Sequence, residues 1–251
     1  MPTHGRFAFL KTKRGASIAI GSLGALAVGA FALVYFVVFP TSSPKAFGLT
    51  TPTSTSSSTN PAANATASAT DIAGAWKVGT GSKVGYRVRE KLAFLPAQSD
   101  AVGRTPKVSG SLTLATSGST AKVTAASFVA AVNTLTSDRS MRDARIHEIG
   151  LESDTYPTAT FKLTVPFTVP ANAARGQVGK VQATGVLTIH GTSKTVAIPL
   201  EMTVSNSALE TTGSLTFPWS DFGMTAPNVG GGAVSVNGKA TMEFDLHLVR
   251  S

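Results

Sequence analysis

The stretch Lys180–Val204 (KVQATGVLTIHGTSKTVAIPLEMTV) constrains the fold more than any other. In its first arm Val181, Ala183, Gly185, Leu187 and Ile189 share one face, and Gln182, Thr184, Val186, Thr188 and His190 share the other. After the turn expected at Gly191-Thr192-Ser193, Val196, Ile198, Leu200, Met202 and Val204 alternate with Ala197, Pro199, Glu201 and Thr203. Period-two alternation over arms of this length predicts two antiparallel strands, each with one apolar face. Glycine and hydroxyl side chains at the turn supply permissive backbone and local hydrogen bonding. Pro199 has no N–H, so it needs an unpaired position or a bulge. A lone hairpin is marginal in water, and other strands must cover its apolar face.

The chain beyond Ala75 supplies them. Val84, Tyr86 and Val88 alternate with charged neighbours, as do the runs Val108/Gly110/Leu112/Leu114, Phe128/Ala130/Val132 and Phe161/Leu163/Val165. Leu215-Thr216-Phe217 reads as a short strand. Ala240, Met242, Phe244, Leu246 and Leu248 line one face of the last. Glycine, asparagine and proline clusters at 172–176 and 228–232 separate the runs. Many strands at short spacing predict an all-β fold, an antiparallel sandwich or barrel of about eight strands.

Residues 137–148 (SDRSMRDARIHE) break the alternation and concentrate charge. Ser137 or Asp138 can cap a short helix here, with Ile146, Ile149 and Leu151 docking inward. This helical insertion is expected to lie over one end of the barrel.

Four segments precede or form the domain. Residues 1–14 are a basic head, and 15–39 carry no charge and have the length of a bilayer span. Tyr35 and Phe36 suit an interfacial belt. A signal peptide is the competing reading, but its apolar core is shorter and needs a small-residue cleavage site, which Pro-Thr-Ser-Ser-Pro-Lys-Ala does not offer. An uncleaved transmembrane helix is therefore expected, with the basic head cytoplasmic and the rest outside the cell membrane, extracellular or periplasmic. Residues 40–70, rich in Ser, Thr, Pro and Ala, read as a disordered linker, and 71–251 as the barrel domain.

Charge narrows the partners. Of the formal net charge of +9, Arg6, Lys11, Lys13, Arg14 and Lys45 precede the first acidic residue, Asp71, leaving +4 for the remainder. Apart from Arg87-Val88-Arg89-Glu90-Lys91, whose charges mostly point outward from a strand, no basic run follows, so nucleic acid is not an expected partner. With no cysteine, disulfides, thiol catalysis and zinc–thiolate sites are excluded. His147-Glu148 starts like a zinc-protease motif, but Leu151 stands where the second histidine belongs, so no metal is expected. His190 and His247 read as solvated, and no glycine-flanked nucleophile serine occurs.

Several motifs stand in order: Ser137-Asp138-Arg139 with Arg142-Asp143, Tyr156-Pro157-Thr158-Ala159-Thr160-Phe161, Gly185-Val186-Leu187-Thr188-Ile189-His190-Gly191 with Thr195-Val196, and Asp221-Phe222-Gly223-Met224. Together, over residues 75–250, they resemble the YceI-like family of isoprenoid-lipid-binding proteins. The resemblance implies a secreted or periplasmic, lipocalin-like barrel that carries a long isoprenoid in its lumen and performs no catalysis, without a cofactor. In that family a histidine often follows the arginine-aspartate pair by two positions. Here Arg145 stands there, which suits a more anionic headgroup if that position touches one. The anchor and linker are additions to the pattern, and such barrels can pair through an edge or rim, which leaves the oligomeric state open, a homodimer included.

The residues expected to face inward and contact ligand are Tyr86, Val88, Phe128, Leu187, Ile189, Met202, Phe217, Trp219, Met242 and Phe244. Periodicity assigns their face but does not distinguish an open lumen from a packed core. The guanidinium forks of Arg139, Arg142 and Arg145 suit a phosphate or carboxylate headgroup at the mouth. The opposing expectation is that they pair with Asp138, Asp143, Glu148 and Asp154 to pin the insertion. Three functions remain open: a lipid carrier, a cell-surface interaction domain with a packed barrel and no lipid, and, more remotely, an esterase-like enzyme in which an accessible serine meets His190 or His247.

Overall fold

Alternating burial generates the strands of this computed structural model, which describes residues 43–49, 72–92, 98–229 and 234–251. The chain divides into a unit of residues 1–43, of which only Ser43 is described, and a compact unit of 44–251. The head at 1–14 and the apolar stretch at 15–39 lie outside the described residues. Among the described residues no helix is long and apolar enough to cross a membrane.

The strands are β1 Gly74–Val78, β2 Lys83–Leu92, β3 Gln98–Thr105, β4 Val108–Ser117, β5 Thr120–Ala131 and β6 Thr158–Val165. They continue with β7 Phe167–Thr168, β8 Gly179–Ile189, β9 Thr192–Val204, β10 Ala208–Pro218, β11 Asn228–Val229 and β12 Val234–Arg250. All pairings between these strands are antiparallel. Because β1 pairs with both β4 and β12, the circuit β1-β4-β5-β6-β8-β9-β10-β12 closes on eight strands. Closure removes the free edges that an open sheet would present. β2 succeeds β1 along the same edge of β12 and carries β3 as its outer neighbour.

The β8–β9 hairpin has the predicted inward set, with Ala183, Leu187, Ile189, Ile198, Met202 and Val204 buried. Its turn lies one position earlier than the sequence suggested. Ile189 pairs with Thr192, leaving His190 and Gly191 as the two central residues, both at positive φ (51° and 70°). This is the geometry of a type I′ turn, whose twist matches the flanking strands. Thr192 and Ser193 belong to β9. Pro199 stays in register opposite Gln182, and the β9–β10 ladder begins only at Leu200–Gly213, so the missing N–H breaks no bond on that side.

Other expectations need correction. β10 is an 11-residue strand rather than a short one, because Thr211, Thr212, Gly213 and Ser214 pair despite their polarity. Val165 is 53% exposed, since a bulge between Leu163 and Val165 turns it outward. Val132 leaves the strand for a 3-10 turn. Glu90 points inward with Tyr86 and Val88 and is buried, so the charged run on β2 is not uniformly solvated.

The insertion forms one short helix, α1 Ser140–Arg145, continued by a π turn at Ile146–Gly150. Its N-cap is Arg139, whose own side chain does not cap the helix; Ser137 Oγ accepts the Arg139 N–H at 3.2 Å, and Asp143 Oδ1 accepts the Ser137 N–H at 2.8 Å. Of the linker at 40–70, residues 43–49 are described and carry no regular secondary structure. Here the chain lies on the barrel's outer face: Arg87 Nη2 donates to Pro44 O at 2.7 Å, and the Arg104 guanidinium stacks 3.8 Å from the Phe47 ring centroid. Beneath it Glu243, on the outer face yet buried, pairs with Arg104 at 2.7 Å and Arg87 at 3.4 Å.

Candidate functional site: the barrel lumen

Two buried clusters pack inside the barrel. One gathers Ile72, Trp76, Leu114, Val123, Met202, Leu209 and Leu248. The indole N–H of Trp76 donates to Ile72 O at 3.1 Å, which satisfies its one polar group in an apolar setting. The other gathers Val88, Leu135, Ile146, Leu187, Trp219 and Phe222. Phe161 packs against both.

Between them runs a cavity of about 190 Å3 whose wall draws on both clusters, from Leu112, Met202 and Leu209 to Ile146, Trp219 and Met224. A dry apolar cavity of about 150 Å3 accepts a benzene molecule, so this space is larger than a packing defect. The wall is almost wholly hydrocarbon and ring, and a chain lying in it would lose water at about 25 cal/mol per Å2 of apolar surface.

Of the ten inward residues expected from periodicity, Tyr86, Phe128, Leu187, Ile189, Met202, Phe217, Trp219, Met242 and Phe244 line this cavity. Val88 does not; it is buried within the second cluster. Alternation missed wall residues carried by turns and by the insertion, among them Leu135, Ile146, Leu151 and Met224. Ile146 and Leu151 were expected to dock inward and do so, whereas Ile149 is half-buried and off the wall.

The three arginines of the insertion all meet carboxylates. Arg142 reaches under α1 to Glu90, with Nη2–Oε1 at 2.6 Å, and also pairs with Asp138. Burial alone would lower its pKa, but the hydrogen bonds and charges of Glu90 and Asp138 outweigh that and hold it charged. Arg139 lies 3.6 Å from Asp138, and the more exposed Arg145 lies 3.0 Å from Glu148. Asp143 serves the Ser137 amide.

His190 departs from the solvated expectation, whereas the His247 side chain stays 36% exposed. His147 Nε2 lies 2.8 Å from Leu135 O, which can only accept, so Nε2 carries a hydrogen there, and Nδ1 lies 2.8 Å from Ser153 Oγ. Ser153 is buried, so this pair ties the insertion to the barrel rather than offering a nucleophile to solvent. The side chain of His190 is only 10% exposed. It packs against Tyr156 with centroids 4.2 Å apart and the rings tilted by 53°, and sits 3.2 Å from Glu152 Oε1, outside hydrogen-bonding geometry. His247 lies between Glu210 at 3.6 Å and Asp245 at 3.4 Å. Among the described residues no group of three or more histidine, aspartate and glutamate side chains is placed to hold a metal ion.

Comparison with known proteins agrees with this architecture. The family model described as the YceI-like domain matches residues 76–248. Among solved structures, a polyisoprenoid binding domain from Saccharophagus degradans, implicated in plant cell wall breakdown, is 18% identical with a TM-score of 0.53, covering 71% of this chain and 99% of that one. BcnA from Burkholderia cenocepacia is 20% identical with a TM-score of 0.48, covering 68% and 98%. The YCEI protein of Campylobacter jejuni is 15% identical with a TM-score of 0.48, covering 64% and 91%. At these identities the likeness is one of fold. A search of curated proteins found no match. With the family model matching residues 76–248, more than half of the chain, the chain belongs to the YceI-like family.

Proposed function

We propose that this protein is a binding protein that holds a polyisoprenoid or similar long-chain lipid in its barrel lumen, as a carrier or sequestering module rather than an enzyme. The observation that carries this reading is the continuous apolar cavity between the two clusters. A packed interaction domain would fill that space with side chains, as protein interiors are ordinarily filled. The polyisoprenoid binding ascribed to the Saccharophagus degradans domain supports the same ligand class. Tyr86, Phe128, Leu187, Ile189, Met202, Phe217, Trp219, Met242 and Phe244 are the proposed contacts, with Val88 behind them. Arg139, Arg142 and Arg145, each beside a carboxylate, are proposed to frame the mouth. The apolar stretch 15–39 is proposed to anchor the chain in the cell membrane with the barrel outside, so that lipid is taken up and released beside its bilayer.

Phe244→Asp tests the lumen assignment. Phe244 borders the cavity beside Gly213, where a Cβ would come within 2.5 Å of its ring. A carboxylate there opposes an apolar chain by several kcal/mol. With the fold verified by circular dichroism, binding of a long prenyl chain should be lost; retained binding would exclude this wall from the site.

A further inference from the structure

Several polar side chains border the lumen, and most are engaged: Thr211 Oγ1 donates to Glu201 O, Thr241 pairs with Thr216, and Glu243 pairs with Arg104 and Arg87. Tyr86, on the inward face of β2, is 9% exposed, lines the cavity, and its hydroxyl has no hydrogen-bond partner among the described residues. Its ring is pressed across Gly103 of β3, its register partner, where a Cβ would stand 2.3 Å from Cε1 and 2.9 Å from the hydroxyl oxygen. Only glycine leaves room for the ring there, so the local backbone is shaped to hold the phenol in place. Buried donors are nearly always paired, and an orphan one on the wall of a ligand-sized cavity is a group waiting for an acceptor.

The charges around that hydroxyl define the acceptor. Those acting on it are the carboxylates of Asp143, Glu90 and Asp138 against the single guanidinium of Arg142, a net negative surrounding. Every side-chain nitrogen of Arg142 already donates to Glu90, Asp138 or Ser137. An anionic headgroup would find no free guanidinium there and would face carboxylates in a poorly solvated site. Desolvation and Asp143 push the phenol's pKa up, so at neutral pH it remains an O–H able to donate to a ligand oxygen.

We infer that Tyr86 is a headgroup-recognition residue, donating a hydrogen bond to an uncharged oxygen at the polar end of the bound lipid, and that the site prefers such a lipid to its phosphorylated counterpart. This rests on the lumen reading above and narrows it from long-chain lipids in general to those ending in a hydroxyl or carbonyl oxygen. It also reverses the anionic headgroup suggested by Arg145, whose partner is Glu148.

The test compares three probes of one carbon skeleton, geranylgeraniol, geranylgeranyl diphosphate and the hydrocarbon phytane, on the full chain in detergent micelles, by displacement of a fluorescent prenyl probe. The native chain should bind the alcohol about tenfold more tightly than the hydrocarbon, the worth of one hydrogen bond that relieves a buried donor, with the diphosphate weakest. Tyr86→Phe should bring the alcohol down to the hydrocarbon and leave the hydrocarbon unchanged. Without ligand this variant should melt at a higher temperature than the native chain, because an unpaired buried hydroxyl is gone; a merely structural role would lower the midpoint. If phytane binds but Tyr86→Phe leaves the alcohol's affinity unchanged, or the diphosphate binds best, the recognition role is overturned and the lumen reading stands. If none of the three binds, both fall.

Discussion

Ala183→Phe separates an open lumen from a packed one by the sign of two effects. Ala183 lies on the inward face of β8, opposite Ile198, and borders the cavity. The space of about 190 Å3 exceeds the roughly 150 Å3 that accommodates a benzene molecule, so a benzyl group enters existing volume. Burying a phenylalanine side chain contributes roughly 1.5–3 kcal/mol; after loss of rotamer freedom, the unliganded variant should be more stable by about 1 kcal/mol. Ligand binding moves the opposite way. Each methylene kept out of the lumen forfeits about 0.8 kcal/mol, so displacing two costs about tenfold in affinity. Guanidinium unfolding gives the first quantity, and titration with a prenyl chain gives the second. In a lumen already filled by side chains, the same substitution overpacks and destabilises by about 1–3 kcal/mol. That outcome, with ligand affinity unchanged, would refute the argument.

Three further predictions follow from the geometry. Tyr86→Phe should remove a pH dependence: the raised phenol stays protonated in the fold while the unfolded phenol ionises near pH 10, so native stability falls above that pH by up to about 1.4 kcal/mol per unit. The native-minus-variant difference in unfolding free energy isolates this from the lysines, and a difference that is flat up to pH 11 would remove the case for a buried phenol. Glu90→Gln should destabilise the barrel by about 1–3 kcal/mol in chemical denaturation, since Arg142 keeps Asp138 but loses its charged partner on β2; no measurable change would mean the pair does not hold the insertion. Gly191→Ala should cost about 1–2 kcal/mol, because φ is +70° there and the new methyl would lie 2.8 Å from the Tyr156 ring; an unshifted melting temperature would contradict the I′ turn.

Alternation carried the barrel because each β8 and β9 side chain faces either hydrocarbon or water, and that contrast is written residue by residue. It failed where geometry is set by backbone rather than by side-chain polarity. The bulge before Val165 changes parity with no mark in the local pattern. The β10 run of Thr, Gly and Ser pairs because both neighbouring strands offer ladders to it, a tertiary cause. The His190 turn could have been placed from the two-residue I′ rule, since histidine tolerates positive φ better than most residues. For the site, nine wall residues were legible from periodicity, but Leu135, Ile146, Leu151 and Met224 reach the cavity from turns and the insertion. Glu90 read as solvated because its partner Arg142 is 52 residues away in the chain. The docking of Pro44 and Phe47 on Arg87 and Arg104 was hidden for the same reason, within a segment whose composition suggests only a tether.

The central claim, that the lumen holds a long-chain lipid, is tested most directly by native mass spectrometry with lipid extraction on the unit from Pro44 to Ser251, purified without detergent. The account predicts one co-purifying long-chain lipid per barrel, and its release on denaturation identifies the tail. A clean unliganded mass that stays unchanged when prenyl lipids are added would contradict it.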